Sequence, residues 1–121
     1  MSVLNELLRC KEWIESALEY SGGTHIFEDI VQGVLEGKMQ LWTGDTGCAV
    51  TEIIVYPRKK VLHVFLAGGE MSQIIDFQKS AAEFGRMNGC DKLTLAGRKG
   101  WTKVLDKHGW EQSFTVMSKE I

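Results

Sequence analysis

The spacing of apolar residues changes at Lys38, and this change limits the folds that the chain can adopt. Before Lys38, apolar residues recur at the spacing of one face of an α-helix. After it, short segments rich in β-branched and apolar residues alternate with turn-forming residues, as β-strands do. Helices followed by strands predict an α/β fold in which helices cover a sheet.

The segment before Lys38 predicts two amphipathic helices. The first is expected over residues 1–20, because apolar residues keep helical spacing as far as Leu18 and Ser21-Gly22-Gly23 follows. The second is expected to begin after Thr24, whose hydroxyl suits an N-cap. It should end at Gly37, because glycine readily takes the left-handed conformation found at many helix ends.

Three strands are expected next, as an antiparallel meander over residues 39–43, 48–56 and 61–67. The third is apolar on both faces, so it is expected in the middle of the sheet. Gly68-Gly69 is expected to end it.

The remaining segments predict a long helix, a strand, a short helix and a final strand: residues 71–87, 91–96, 100–107 and 110–118. Strands joined by a crossover helix lie parallel, so the sheet should be mixed. The predicted order is α-α-β-β-β-α-β-α-β, a central mixed sheet flanked by helices. The length of 121 residues fits one domain over residues 1–121.

The charge and the cysteines exclude several classes of function. A net charge of −2 argues against broad nucleic-acid binding, although such a module stays open if the basic residues near Arg58 and Arg98 meet on one face. Cys10, Cys48 and Cys90 lie far apart and predict free buried thiols, with neither a disulfide framework nor a metal site. Because no segment reads as a signal or a membrane span, we expect a cytoplasmic protein.

Two C-terminal segments carry a family resemblance. Asn88-Gly89-Cys90-Asp91-Lys92-Leu93-Thr94-Leu95 joins the long helix to a strand, and Lys107-His108-Gly109-Trp110 follows the short helix. At this spacing, and over the half of the chain from His63 onward, the sequence resembles the GNAT superfamily of N-acetyltransferases. The resemblance implies a GNAT-like fold with acetyl-CoA as the cofactor. The chain is similar in particular to small GNAT-like bacteriophage proteins with a degenerate cofactor loop, which implies the host cytoplasm or the virion as its location.

The resemblance places the cofactor loop, in the family an Arg/Gln-x-x-Gly-x-Gly/Ala turn that holds a pyrophosphate, at residues 67–73. Met71 and Gln73 stand where the later glycines belong, and Glu70 adds a negative charge. Gly68-Gly69 is either an anion-binding nest or a plain turn. The candidate cofactor-binding residues of this loop are Ala67, Gly68, Gly69, Met71 and Ser72.

A basic loop before the short helix adds further candidates for cofactor binding. Arg98, Lys99 and Trp101 are residue types that grip a phosphate or a protein partner. The alternative is a solvated turn with Trp101 folded onto the core.

The expected catalytic groups are incomplete. In the family a Tyr usually serves as the acid in the short helix, and Leu105 occupies that position here. Glu52 and His63 are candidate bases on adjacent strands, and each could equally be an ordinary sheet residue. We therefore expect a binding or structural protein without standard acetyltransferase activity, which binds a protein partner or self-associates. The alternative is an acetyl-CoA-dependent N-acetyltransferase with atypical catalytic residues.

Overall fold

The computed structural model describes residues 2–98 and 100–121. Its helices are α1 (Val3–Arg9), α2 (Lys11–Leu18), α3 (Phe27–Leu35), α4 (Met71–Met87) and α5 (Gly100–Asp106). Its strands are β1 (Met39–Thr43), β2 (Gly47–Val55), β3 (Lys60–Gly69) and β4 (Lys92–Leu95).

The strands form one sheet in the order β1-β2-β3-β4. β1 and β3 each pair antiparallel with β2, whereas β4 runs parallel to β3. The predicted mixed sheet and the interior position of β3 are therefore confirmed. The register of β2 and β3 shifts between Val50 and Thr51, so Phe65 has no partner residue on β2. This bulge turns two successive β3 residues, Phe65 and Leu66, toward the same core.

Helices cover both faces of the sheet. Helices α1, α2 and α3 pack on one face around a buried apolar cluster: Leu7, Cys10, Ile14, Leu18, Phe27, Ile30, Cys48, Val50 and Leu66. Helix α4 packs on the other face, where Ala81 and Gly85 are buried. A Cβ placed on Gly85 would meet the Leu62 side chain at 3.6 Å, so α4 lies close to β3. The sheet is thus the middle layer of three.

The N-terminal helix prediction is wrong in two details. The expected first helix is divided into α1 and α2 at Cys10, whose ψ of 2° departs from the helical value. The break leaves Leu7, Cys10 and Ile14 fully buried on the sheet. Helix α3 begins at Phe27 because the Asp29 carboxylate accepts the Ile26 N–H at 2.9 Å, while the Thr24 hydroxyl contacts His25 Nδ1 instead.

Two strand predictions are also wrong. Gly68-Gly69 does not end β3, because these residues continue its pairing opposite Cys48 and Gly47. The final strand predicted over residues 110–118 is absent, since residues 110–121 have no regular secondary structure in the described chain. Among the described strands, β4 pairs with β3 alone.

Two further expectations concern the cysteines and the membrane. All three cysteines are free, with Cys10 and Cys48 buried as predicted and Cys90 half-buried. Burial raises the pKa of both the Cys10 and the Cys48 thiol, so both stay protonated at neutral pH. Within residues 2–98 and 100–121, no helix has the length and apolar character needed to cross a membrane.

Candidate functional site

A cleft opens where β3 and β4 separate. The two strands pair from Val61 with Lys92 to Val64 with Leu95. Beyond this point β3 runs on to Gly69, while β4 ends at Leu95. The resulting β3–β4 cleft has a volume of about 70 Å³. Its walls are formed by the end of α2 and by the connection from β4 to α5: Ala17, Tyr20 and Ser21 on one side, Ala96, Gly97, Arg98 and Trp101 on the other.

A cation–π contact joins the two walls of the cleft. The guanidinium carbon of Arg98 lies 4.2 Å from the centroid of the Tyr20 ring. Both side chains are exposed, so the contact contributes only about 0.5–1 kcal/mol. A ligand of the cleft could therefore displace Arg98 from Tyr20 at small cost.

The floor of the cleft is the second half of β3. His25 lies against Phe65 there, with 4.6 Å between the ring centroids. Within the described chain, β3 has no strand partner on the β4 side beyond Val64. Backbone N–H and C=O groups along Phe65–Ala67 are therefore placed to bind the amide groups of an extended ligand.

A polar row crosses three strands next to this floor. Glu52, His63 and Thr94 occupy directly paired positions on β2, β3 and β4. His63 Nδ1 lies 2.9 Å from Thr94 Oγ1. Burial lowers the pKa of His63, although the Glu52 charge acts in the opposite direction. His63 is therefore neutral at pH 7 and able to accept a proton.

The N-terminus of α4 lies against the turn between β1 and β2. The Glu70 N–H at the N-cap donates to the Thr46 carbonyl at 2.8 Å. The Gln73 side-chain amide packs against Gly44 and accepts from the Thr46 hydroxyl at 3.4 Å. Glu70 itself is exposed, so its negative charge stands where a pyrophosphate would need positive potential. The charge of Glu70 is therefore unfavourable for a pyrophosphate at this position.

The glycine pair has a packing role at this joint. A Cβ on Gly68 would lie 2.6 Å from the Trp13 carbonyl oxygen, so glycine allows α2 to approach β3. Gly69 has a φ of +101° and lies against the Thr46 carbonyl. Both glycines are therefore explained by close backbone approach.

The position of the family's usual acid is buried. Leu105 is 7% exposed and lines an apolar cavity of about 40 Å³ between α4, α5 and the sheet. Trp101 lines both this cavity and the β3–β4 cleft. A leucine side chain has no acidic proton, so Leu105 cannot serve as the acid.

The structure brings together some of the predicted site residues and separates others. Ala67, Arg98 and Trp101 line the β3–β4 cleft, and Glu52 and His63 lie side by side on the sheet. Met71 and Ser72 form the first turn of α4. Lys99 lies outside the described residues.

The arrangement also bears on metal and nucleic-acid binding. No group of three or more His, Cys, Asp or Glu side chains in the described chain could hold a metal ion. Arg58 precedes the first residue of β3, whereas Arg98 lies beside the cleft at its other end. The two basic segments therefore lie toward opposite ends of β3.

Three residues of the site were missed by the sequence analysis. Tyr20 is brought to the cleft by the end of α2, Phe65 by the bulge in β3, and Thr94 by the pairing with His63. Tyr20 is far in sequence from the expected position of an acid. No local pattern connects these residues, so only the strand register could have identified them.

Comparisons with known proteins establish the fold. No family model and no curated protein sequence matches the chain. Among solved structures, a probable acetyltransferase is 12% identical with a TM-score of 0.70, covering 99% of this chain and 95% of that one. A Trypanosoma brucei acetyltransferase is 14% identical with a TM-score of 0.61, covering 78% of each chain.

An aminoglycoside N-acetyltransferase in complex with CoA is 16% identical, with a TM-score of 0.51, over 63% of this chain and 59% of that one. At such identities these likenesses concern the fold alone. They confirm the predicted GNAT-like architecture.

Proposed function

We propose that this chain, which has the GNAT fold, is a binding protein that uses the β3–β4 cleft without carrying out standard acetyl transfer. The observation that carries the proposal is the exposed, acidic Glu70 at the N-cap of α4, beside the β1–β2 turn. Thr46 accepts the Glu70 N–H and contacts the Gln73 side chain, so the β1–β2 turn occupies the place beside the helix end. An anion needs positive potential at such a position, whereas the exposed Glu70 places a negative charge there.

The cleft itself retains features of a binding site. It offers aromatic surface from Tyr20, Phe65 and Trp101 and a guanidinium from Arg98. In the described chain it also offers backbone groups of β3 beyond Val64, which have no strand partner on the β4 side. This combination suits an extended peptide or another amide-rich ligand, because the strand edge bonds its backbone and the aromatic rings pack on its side chains.

The resemblance to small bacteriophage proteins supports a role within a larger assembly, such as a virion, in which the ligand is a segment of a protein partner. If so, the protein should co-purify with a larger assembly from its native source. Arg98→Ala should weaken that association, and Arg58→Ala, at the other end of β3, should leave it unchanged.

The first experiment is a thermal-shift titration with acetyl-CoA and with CoA up to millimolar concentration, beside an assay for acetyl transfer to a panel of amines. A ligand that binds the native state must raise Tm. Because we propose that neither acetyl-CoA nor CoA binds in the standard way, we expect no change in Tm and no transfer. A saturable rise in Tm would contradict the proposal.

A second candidate function, an N-acyltransferase with unusual catalytic residues, is favoured by one observation. Tyr20 lines the cleft, and the Glu52–His63–Thr94 row lies on the adjoining strands. His63, kept neutral by burial, would serve as the base and Tyr20 as the acid.

Transfer in the amine assay would support this candidate only if it depended on these groups. His63→Gln and Tyr20→Phe should then each reduce the rate by about 10²-fold or more. Tyr56→Phe is the matched control, because Tyr56 lies in the β2–β3 turn away from the cleft. An equal effect of all three substitutions would exclude the assigned roles.

A further inference from the structure

Four elements begin or end at the side of the sheet that lies opposite the β3–β4 cleft. Val55, the last residue of β2, pairs with Lys60, the first residue of β3. Lys92, the first residue of β4, pairs with Val61. The chain that leaves α4 reaches the same place, because the Asp91 N–H donates to the Lys60 carbonyl at 2.7 Å. Residues that are far apart in sequence are therefore neighbours here.

Positive charge is concentrated on this side, which we call the basic end. Its cations come from the β2–β3 turn, the last turn of α4 and the first residues of β3 and β4: Arg58, Lys59, Lys60, Arg86 and Lys92. In the described chain none of these cations forms an ion pair with an acidic side chain. The Asp91 carboxylate also lies here and accepts the Lys60 N–H at 3.4 Å. Because the whole chain has a net charge of −2, its charges are unevenly distributed.

Exposed apolar side chains lie among these cations. Val55 is 73% exposed, Tyr56 54% and Met87 83%. Lys60 pairs with Val55 across the hairpin. The Lys60 ammonium lies 3.9 Å from the place that a Cβ on Gly89 would take, two residues after Met87. The hairpin and the end of α4 thus contribute to one surface, and exposed apolar residues grouped in this way mark an interaction site.

We propose that the basic end docks on an anionic lipid surface. The cations would contact the lipid headgroups, since Lys and Arg residues are attracted to anionic membranes. Val55, Tyr56 and Met87 would enter the interfacial layer, where a tyrosine ring is favoured by its apolar body and polar hydroxyl. This inference does not depend on the function proposed for the cleft, which lies at the other end of β3.

The shape and chemistry of the basic end favour a lipid surface over a nucleic acid. A turn, a helix end and a strand start contribute to it from one end of the fold, so a flat surface can contact all three. A nucleic acid would bind the cations and could stack a base on Tyr56. It would leave the aliphatic side chains of Val55 and Met87 without a partner, whereas the lipid interface accepts them.

The first test is co-sedimentation of the full chain with vesicles. We expect binding to vesicles of phosphatidylserine and phosphatidylcholine in equal parts, and little binding to phosphatidylcholine alone. Binding should weaken as the salt concentration rises from about 0.1 M to about 1 M, because salt screens the attraction between charges. No binding to the anionic vesicles, or equal binding to both kinds, would overturn the proposal.

Charge reversals test whether the basic end makes the contact. Lys59→Glu should weaken vesicle binding by about fivefold or more, since each cation at an anionic surface contributes about that factor. Lys92→Glu, on another strand, should act in the same direction, so the test does not rest on the folding of one variant. Lys103→Glu is the matched control: α5 begins beside the cleft, and its effect should stay below about twofold because distant charges are screened. Equal effects of all three reversals would overturn the assignment to this end.

Two uncharged substitutions test the apolar contact. Met87→Gln should weaken vesicle binding by about threefold or more, because it removes an apolar side chain from the interfacial layer. Leu8→Gln is the matched control, since Leu8 is 53% exposed on α1 and the adjacent Arg9 bonds Gly44 at the other end of the sheet. A Met87→Gln variant that binds vesicles like the wild type would overturn the proposed insertion.

A single-stranded oligonucleotide provides the last arm of the test. We expect it to compete poorly with the anionic vesicles when both are present at equal concentrations of phosphate. An oligonucleotide that displaces the chain from the vesicles, in a way that depends on Lys59 but not on Met87, would identify a nucleic-acid surface and overturn the proposal.

Discussion

His63 shows how one residue couples the candidate site to the stability of the whole chain. Its ring lies half-buried on β3, with Thr94 at hydrogen-bond distance and Glu52 on the neighbouring strand. The sequence predicted Glu52 and His63 as two separate candidates. Their direct pairing depends on the register of β2 and β3, which residue types do not encode.

The lowered pKa of His63 predicts a pH dependence of folding. Its ordinary pKa is 6.5, and burial lowers that value in the folded chain. Between the two values the unfolded chain binds more protons, so the free energy of unfolding falls as the pH falls below about 6.5. Each unit of pKa difference corresponds to about 1.4 kcal/mol. Urea unfolding of the wild-type chain at several pH values between about 5 and about 7.5 measures this slope.

His63→Gln should remove most of this slope while it keeps a polar side chain beside Thr94. The control is His108→Gln, at the exposed end of α5, which should retain the wild-type slope. If both variants kept the slope, His63 would not be its source.

At the level of elements, the joint between β3 and α4 is tightly constrained. Only Glu70 separates the last residue of the strand from the first residue of the helix. Gly69 has a φ of +101°, and a Cβ at this position would collide with the Thr46 carbonyl and the Gly47 backbone. The joint therefore depends on glycine for two separate reasons.

Gly69→Ala should lower the free energy of unfolding by more than about 2 kcal/mol, because it adds a collision to the cost of a positive φ. Gly22→Ala is the matched control: Gly22 has a φ of +75° but no atom within 4 Å of the added Cβ. We expect Gly22→Ala to lower the free energy of unfolding, measured by chemical denaturation, by only about 1 kcal/mol. A similar loss of stability in the two variants would show that the close contact with the β1–β2 turn does not add to the cost of Gly69→Ala.

The elements with strong internal patterns were predictable, and their ends were less so. The α4 helix and the β1 strand have the predicted bounds, because apolar spacing and flanking glycines define them. The sequence could not show that Gly68-Gly69 would extend β3, because that extension depends on pairing with β2. For the same reason, the strand-like pattern of residues 110–118 could not show whether another strand of the described chain would pair with them.

At the level of the whole molecule, parts of the sheet differ in how many neighbouring elements pack or pair with them. β3 has a strand on each side along its first half, whereas its second half pairs only with β2 in the described chain. β4 contributes four residues and α5 seven, and both lie beside the β3–β4 cleft. The cleft is therefore bounded by the least supported part of the sheet.

Native-state amide exchange should resolve this difference. We expect amides of β4 and α5 to open with a lower free energy than those of β2 and the first half of β3, because fewer partners hold them. Uniform protection across all four strands would contradict this view and indicate one cooperative unit.

The parallel pairing of β3 with β4 has a consequence for the order of folding. Tight turns join β1 to β2 and β2 to β3, whereas α4 and its flanking residues separate β3 from β4. Closing the longer connection costs more chain entropy, so the two hairpins should form before β4 docks. A nascent chain can thus build its meander while the cleft does not yet exist. The capacity to bind would then arise at the final step of folding, when α4 returns the chain to the sheet.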